Sequence, residues 1–126
     1  MLNVAKKPII LAVDDEADIR TSVKQVLEDA GFKVVTANNG QECLKKLKTL
    51  NPDLILLDIL MPGLTTKEIA IGIKKLKIKT PVIFLTVVRL AEATKQKIIK
   101  GNMVDYIEKP FKNVDLVRRV KKALKS

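Results

Sequence analysis

Five short apolar runs divide the chain, and each is followed by a stretch with helical spacing of apolar residues. The runs are four or five residues long and rich in Val, Ile and Leu, which is typical of strands buried on both faces. They predict β-strands at residues 9–13, 33–37, 54–57, 82–85 and 104–107.

The segments between these runs carry apolar residues three and four positions apart, the spacing of one face of an α-helix. Gly31, after the first of them, is predicted to end a helix, and Pro52 and Pro81 break the chain before the third and fourth strands. A weaker stripe predicts a helix within 90–100. The helical stripes are Ile19, Val23, Val26, Leu27 and Ala30; Leu44, Leu47 and Leu50; Ile69, Ile73 and Leu76; Ala91, Thr94 and Ile98; and Val117, Val120 and Leu124.

This alternation predicts an α/β fold: a single-domain (βα)₅ doubly wound parallel sheet over residues 1–126, flavodoxin-like, with strand order 2-1-3-4-5. A chain of 126 residues is long enough for one hydrophobic core. In such sheets ligands bind beyond the carboxyl ends of the strands, at the switch point of the strand order.

Composition narrows the chemistry. The chain has no histidine, which excludes imidazole-based zinc sites, Ser-His-Asp catalysis and a phosphohistidine of its own. The single cysteine, Cys43, is predicted to be a small core residue, and the sequence contains no membrane-length apolar span. We therefore predict a reduced, cytoplasmic protein without membrane insertion.

The net charge is +10, and much of it lies in three clusters on predicted helices. Solvated helix faces explain such clusters in most proteins, but the field also favours an anionic partner: nucleic acid, an acidic protein face or anionic lipid. The few aromatic residues form no base-stacking pattern, which argues against direct nucleic-acid binding. The clusters are Lys45, Lys46 and Lys48; Lys74, Lys75, Lys77 and Lys79; and Arg118, Arg119, Lys121, Lys122 and Lys125.

Residues suited to binding a metal ion or a phosphoryl group follow four of the five predicted strands, and all of them fall at the carboxyl edge of the sheet. Carboxylates that crowd at the switch point raise one another's pKa unless a cation intervenes. With only oxygen ligands available, Mg²⁺ is the expected ion. The residues are Asp14, Asp15 and Glu16 after the first strand, Asp58 after the third, Thr86 after the fourth and Lys109 after the fifth.

A lysine and a hydroxyl beside a magnesium site suit a phosphoryl group. Asp58 lies at the centre of the predicted site, and carboxylates can form aspartyl phosphates. Asp58 is thus the predicted nucleophile, with Lys109 pairing with the phosphoryl oxygens and Thr86 donating a hydrogen bond to one of them. An alternative for Asp14 and Asp15 is that they only cap the first helix.

Four motifs in this order resemble the receiver domains of two-component response regulators, including the chemotaxis-regulator type, over nearly the whole chain. They occupy residues 13–16, 57–63, 84–86 and 106–111. The resemblance implies that Asp58 is the phosphoacceptor and Lys109 the phosphate-pairing lysine, held by a cis peptide before Pro110. It further implies Thr86 and Tyr106 as the switch pair. The implied metal site comprises Asp15, Asp14 through water, Asp58, and the backbone carbonyl of Leu60.

The resemblance also implies the partners. A histidine kinase or phosphotransfer protein donates the phosphoryl group, and the face formed by the fourth helix, fifth strand and fifth helix is presented to a downstream protein. Alternatives are a degenerate receiver acting as a constitutive adaptor, and a receiver cut from a longer DNA-binding regulator. A phosphatase of the haloacid dehalogenase type needs a second aspartate where this chain has Leu60, so we predict no enzymatic turnover.

Several positions depart from the family pattern. Thr65 and Thr66 stand where the family often has an Asp-Gly pair, which predicts a changed start of the third helix. Val87 stands where the family has a small residue, which predicts a narrower phosphate pocket. Leu60 and Val88, which flank the phosphate in the resemblance, are apolar and cannot orient an attacking water. We therefore expect a long-lived phosphorylated state.

Overall fold

The computed structural model of the chain describes residues 7–59, 63 and 65–125. Within these residues strands and helices alternate along the chain. The strands are β1 (Ile9–Val13), β2 (Lys33–Ala37), β3 (Leu54–Leu57), β4 (Val82–Thr86) and β5 (Met103–Glu108). The helices are α1 (Ala17–Asp29), α2 (Gly40–Leu47), α3 (Thr66–Lys75), α4 (Glu92–Ile98) and α5 (Asn113–Lys125).

The five strands form one parallel sheet in the order β2-β1-β3-β4-β5, which confirms the predicted fold class and strand order. The first three strands have the predicted bounds. Two strands are longer than predicted: β4 includes Thr86, and β5 begins at Met103 and includes Glu108. Their apolar runs end earlier, but the ladder between β4 and β5 pairs Thr86 with Glu108.

Side chains alternate between the two faces of the sheet and build a separate core on each. One core joins the sheet to α1 and α5, and the other joins it to α2 and α3. The first includes Ile10, Leu56, Leu27 and Val120, and the second includes Leu11, Leu57, Cys43 and Ile73. Cys43 is fully buried, as predicted for a core residue, and burial raises the pKa of its thiol to about 12.

On two helices the apolar residues predicted to face the core differ from those that the structure buries. On α5 the buried residues are Leu116, Val120 and Ala123, whereas Val117 and Leu124 pack only at the margin of the core. The cause is that α5 is apolar over a broad face, so spacing alone does not identify its centre. Leu50 lies beyond the end of α2, although it packs against the same core.

The fourth helix is shorter than predicted and packs loosely. It spans Glu92–Ile98, none of its residues is buried, and Ala91 and Thr94 are exposed. The predicted stripe was therefore wrong for these two positions. Of its three residues, Ile98 alone packs against the core. The weak apolar pattern of this segment is the physical reason, since little apolar surface is available to hold the helix on the sheet.

Local signals define several helix ends. Gly31 has φ 101°, a left-handed conformation that glycine adopts without strain, and it follows α1 as predicted. Thr65 and Glu68 form a capping box at the start of α3: the Thr65 hydroxyl accepts from Glu68 N at 3.1 Å, and Glu68 Oε1 accepts from Thr65 N at 3.0 Å.

Among the described helices, none has both the length and the apolar character needed to cross a membrane.

Candidate functional site

The strand register brings the predicted site residues together. Val13 of β1 pairs with Leu57 of β3, so Asp14 and Asp58 leave the sheet side by side. The Asp58 backbone N–H donates to Val13 O at 3.0 Å, which extends the pairing by one residue. Two carboxylates thus meet at the switch point, as the strand order requires.

Lys109 lies between these two carboxylates. Its Nζ is 2.5 Å from Asp14 Oδ2 and 3.4 Å from Asp58 Oδ2. Asp14, Asp58 and Lys109 are 4%, 5% and 9% exposed, so all three charged groups are removed from bulk water. A buried charge requires a partner of opposite sign, and the lysine satisfies both carboxylates at once.

The backbone holds Lys109 in this position. Its N–H donates to Thr86 O at 2.7 Å, which ties the end of β5 to the end of β4. The Lys109–Pro110 peptide is cis, as the family resemblance implies.

Burial disfavours the charged form of Lys109, but its surroundings outweigh this effect. The hydrogen bond to Asp14 and the negative charges of Asp58 and Asp14 raise its pKa above the ordinary value of 10.5. Lys109 is therefore an ammonium at neutral pH and supplies a fixed positive charge at the sheet edge.

Carboxylates after β1 form a group that fits a divalent ion. One oxygen from each of Asp14, Asp15 and Glu16 lies within 4.8 Å of the others, with Asp14 buried and the other two exposed. An all-oxygen donor set that is partly open to water is the type of site that Mg²⁺ prefers. Asp58 is joined to this group through Lys109. Leu60, whose carbonyl is a predicted metal ligand, lies outside the described residues.

Helix capping alone does not account for Asp14. The N-cap of α1 is Glu16, which makes no side-chain capping bond. Asp14 Oδ1 does accept from Glu16 N at 3.0 Å, but its other oxygen binds Lys109. Asp14 therefore serves the ion-pair network as well as the turn. Its backbone carbonyl also accepts from Arg20 Nη1 at 2.7 Å, a contact that the sequence alone did not indicate.

The predicted switch residues Thr86 and Tyr106 are linked through the backbone of Val88. Val88 N donates to the Thr86 hydroxyl oxygen at 3.3 Å, and the Tyr106 hydroxyl donates to Val88 O at 2.7 Å. Both side chains are buried. Thr86 is thereby connected to the Tyr106 hydroxyl through the two peptide groups on either side of the Val88 Cα. Val88 makes both hydrogen bonds with backbone atoms. Since any residue has these atoms, the residue type at this position could not indicate the link.

Tyr106 also connects β5 to the helices beside it. The Lys95 ammonium of α4 lies 5.6 Å from the centre of the Tyr106 ring, and Arg119 of α5 donates to Tyr106 O at 3.0 Å. Lys95 in turn forms an ion pair with Glu108 at 2.8 Å. Burial and the nearby Glu108 raise the pKa of the Tyr106 phenol, so the hydroxyl remains a donor at neutral pH.

Val87 does not lie in the buried part of the site. Its side chain is 57% exposed, beside the fully buried Thr86. The narrower phosphate pocket expected from the size of Val87 stays a prediction.

A cationic lysine between two buried carboxylates therefore lies at the switch point of a doubly wound parallel sheet, the place where α/β proteins of this architecture bind their ligands. Residues 10–121 match the family model of the response regulator receiver domain, and the chain belongs to this family. The resemblance carried by the four sequence motifs is confirmed.

Curated relatives of the chain are response regulators. The chain is 38% identical over 116 residues to the alkaline phosphatase synthesis transcriptional regulatory protein PhoP of Bacillus subtilis, a match that covers 92% of this chain and 48% of PhoP. It is 40% identical over 121 residues to the phosphate regulon transcriptional regulatory protein PhoB of Pseudomonas aeruginosa, covering 92% of this chain and 51% of PhoB. The chain thus spans about half the length of these relatives.

Solved structures show the same fold. The receiver domain of the Francisella response regulator 1452 superposes with a TM-score of 0.85 at 32% identity, covering 94% of this chain and 98% of that one. The response regulator TrrA of Thermotoga maritima, solved in complex with Mg(2+)-BeF, superposes with a TM-score of 0.78 at 37% identity, covering 92% and 98%. The chain is therefore a receiver domain of two-component signal transduction.

Proposed function

We propose that this chain is a phosphorylation-controlled switch that accepts a phosphoryl group on Asp58 from a histidine kinase or a phosphotransfer protein. The observation that carries the proposal is the buried Lys109 ammonium, which lies between Asp14 and Asp58. A lysine held at this place is ready to pair with phosphoryl oxygens attached to Asp58. The receiver function is assigned to residues 1–126 as one unit, in a cytoplasmic protein whose single thiol is free and buried.

The transfer step follows from the chemistry of the groups. An oxygen of the Asp58 carboxylate attacks phosphorus, and the bond from phosphorus to the donor's imidazole nitrogen breaks. The imidazole keeps the electron pair and takes a proton from water. The Lys109 ammonium pairs with the phosphoryl oxygens and neutralises part of their charge. The Thr86 hydroxyl turns away from Val88 N and donates a hydrogen bond to one of these oxygens.

Asp14, Asp15 and Asp58, with the carbonyl of Leu60, would hold Mg²⁺. The close oxygens after β1 support this proposal, and so does the Mg(2+)-BeF complex of the TrrA relative. When bound, the ion supplies positive charge to the carboxylates and the incoming phosphoryl group, so that they approach with less repulsion.

The output face is proposed to be α4, β5 and α5. Tyr106 lies on β5 and contacts Lys95 of α4 and Arg119 of α5. When Thr86 leaves Val88, the bond that holds the Tyr106 hydroxyl at the edge of α4 is weakened, and the tyrosine can turn inward. The change is a shift between two populations, so a downstream protein must bind one of them more tightly. We propose a signalling switch without turnover of a substrate.

The test is intact-mass analysis after treatment with acetyl phosphate, with and without Mg²⁺. We expect one added phosphoryl group in the presence of Mg²⁺, none in its absence, and none in Asp58→Asn. A matched control is Asp53→Asn, because Asp53 is an exposed aspartate whose carboxylate accepts from Ile9 N. This variant should be phosphorylated like the wild type. Absence of the adduct in the wild-type protein would refute the proposal and leave a constitutive adaptor.

A further inference from the structure

A groove between α3 and α4 lies apart from the phosphoacceptor edge. Its volume is about 920 Å³, within the range of pockets that bind ligands. The floor is apolar and comes from four parts of the fold: α3, the segment before β4, β4 itself, and α4 with the start of β5. The floor residues are Ala70, Ile78, Phe84, Ile98 and Met103.

Lysines surround this floor. Six of the residues that line the groove are lysines, all six are exposed, and no acidic residue lines it. Across the described part of the chain, no carboxylate lies within ion-pair distance of any of the six. In contrast, Lys46 and Lys95 elsewhere pair with glutamates. The six are Lys67, Lys74, Lys77, Lys79, Lys97 and Lys100.

Lys77 adds a further observation. It has φ 57°, a left-handed conformation that favours glycine, at the position just after the end of α3. A lysine is strained there, while glycine would not be. The sequence thus places a charged side chain at the groove where backbone geometry alone would favour glycine.

We propose that this groove binds a short amphipathic segment of an acidic protein partner, with apolar side chains on the floor and carboxylates against the lysine rim. Charge complementarity identifies the occupant: the rim carries positive charge that pairs with no carboxylate of the described residues, and the floor requires an apolar stripe. The loosely packed α4 forms one wall, so a segment can enter without unfolding a core helix.

Two other anionic partners fit less well. Nucleic acid would use the lysines but not the apolar floor, and Phe84, the aromatic residue of the floor, is only 2% exposed and cannot stack on a base. A bilayer is broad and needs apolar residues that protrude, whereas this apolar surface is recessed below the rim. A narrow acidic segment uses both features.

The test is fluorescence anisotropy with a labelled synthetic peptide that has a leucine stripe flanked by glutamates, without phosphorylation of the protein. Lys74→Glu/Lys97→Glu should weaken binding by about tenfold or more, because each change replaces attraction with repulsion. The matched control is Lys45→Glu/Lys48→Glu, which changes two exposed lysines outside the groove, one on α2 and one at its C-cap. It makes the same change in net charge and should weaken binding by less than about threefold.

Two single variants separate the rim from the floor. Lys77→Gly removes a rim charge and relieves the left-handed strain, so binding should weaken while the thermal midpoint holds or rises. Met103→Gln makes the floor polar without changing charge and should also weaken binding. A peptide of the same composition in scrambled order should bind the wild type more weakly than the ordered peptide.

Several results would overturn the inference. Equal losses in the groove and α2 double variants would show that only net charge matters. Equal binding of the scrambled peptide would exclude a role for the floor. If a DNA duplex or anionic vesicles bound and the groove double variant abolished that binding, while the peptide did not bind, the partner would be nucleic acid or membrane instead. None of these measurements depends on Asp58 accepting phosphate.

Discussion

Replacement of Lys109 by methionine tests the central feature of the site. Methionine keeps most of the aliphatic volume and removes the ammonium that lies 2.5 Å from Asp14 and 3.4 Å from Asp58. The attraction in these two pairs is about 7 and about 5 kcal/mol at an effective dielectric constant of about 20. Desolvation of the buried lysine offsets much of this attraction.

We expect Lys109→Met to lower the free energy of unfolding by about 3 kcal/mol, because the change leaves two buried carboxylates without their cation. Urea unfolding in the presence of a chelator measures this loss. Addition of Mg²⁺ should stabilise the variant more than the wild type, because the ion can replace the missing charge. Lys45→Met removes an exposed lysine and should change stability by no more than about 0.5 kcal/mol.

The pH dependence provides a second readout for the same variant. The folded-state pKa of Lys109 lies above its ordinary value of 10.5, so the stabilisation is complete below pH 10.5 and is lost as pH rises through the raised value. As pH rises from neutral, the stability gap between wild type and Lys109→Met should therefore persist until strongly alkaline pH. Equal stability of the two proteins at neutral pH in chelator would refute the reasoning, and so would an equal response to Mg²⁺.

Three further predictions concern single features. Tyr106→Phe removes the bond to Val88 O and should lower the free energy of unfolding by about 1 kcal/mol in urea titrations; unchanged stability would show that this bond contributes nothing. Phosphorylated Asp58 should lose its phosphate more slowly in the wild type than in a Leu60→Asn/Val88→Glu double variant, and the reverse order in a phosphate-release assay would contradict the expected long-lived state. The Cys43 thiol, with a pKa of about 12, should resist a thiol reagent at neutral pH until denaturant is added, and rapid labelling of the native protein would argue against its burial.

Much of the fold was predictable because a strand that is buried on both faces appears in the sequence as a short, continuous apolar run. The runs that became β1, β2 and β3 are apolar, short and bounded by turn residues, so their bounds agree with the prediction. Where the apolar pattern is weak, the predicted buried positions were wrong. The α4 segment has few apolar residues, and the stripe through Ala91 and Thr94 proved to be exposed.

The site was predictable at the level of residue types and positions. Asp14, Asp58, Thr86 and Lys109 lie at the carboxyl ends of different strands, and a parallel sheet brings these ends to one edge. Their burial and the contacts of Lys109 with both aspartates could not be derived from spacing. They depend on the register between neighbouring strands and on the direction in which each chain leaves the sheet.

The sequence by itself determined the order of elements, the two-sided core and the set of polar residues at the carboxyl edge, because each of these depends on local hydrophobic pattern and topology. Only the tertiary structure decided that the backbone of Val88 links Thr86 to Tyr106, and that lysines distant along the chain surround one apolar groove. Such arrangements depend on how separate segments pack against one another. Backbone atoms are the same at every residue, and the distance between two helices has no local signature in the chain.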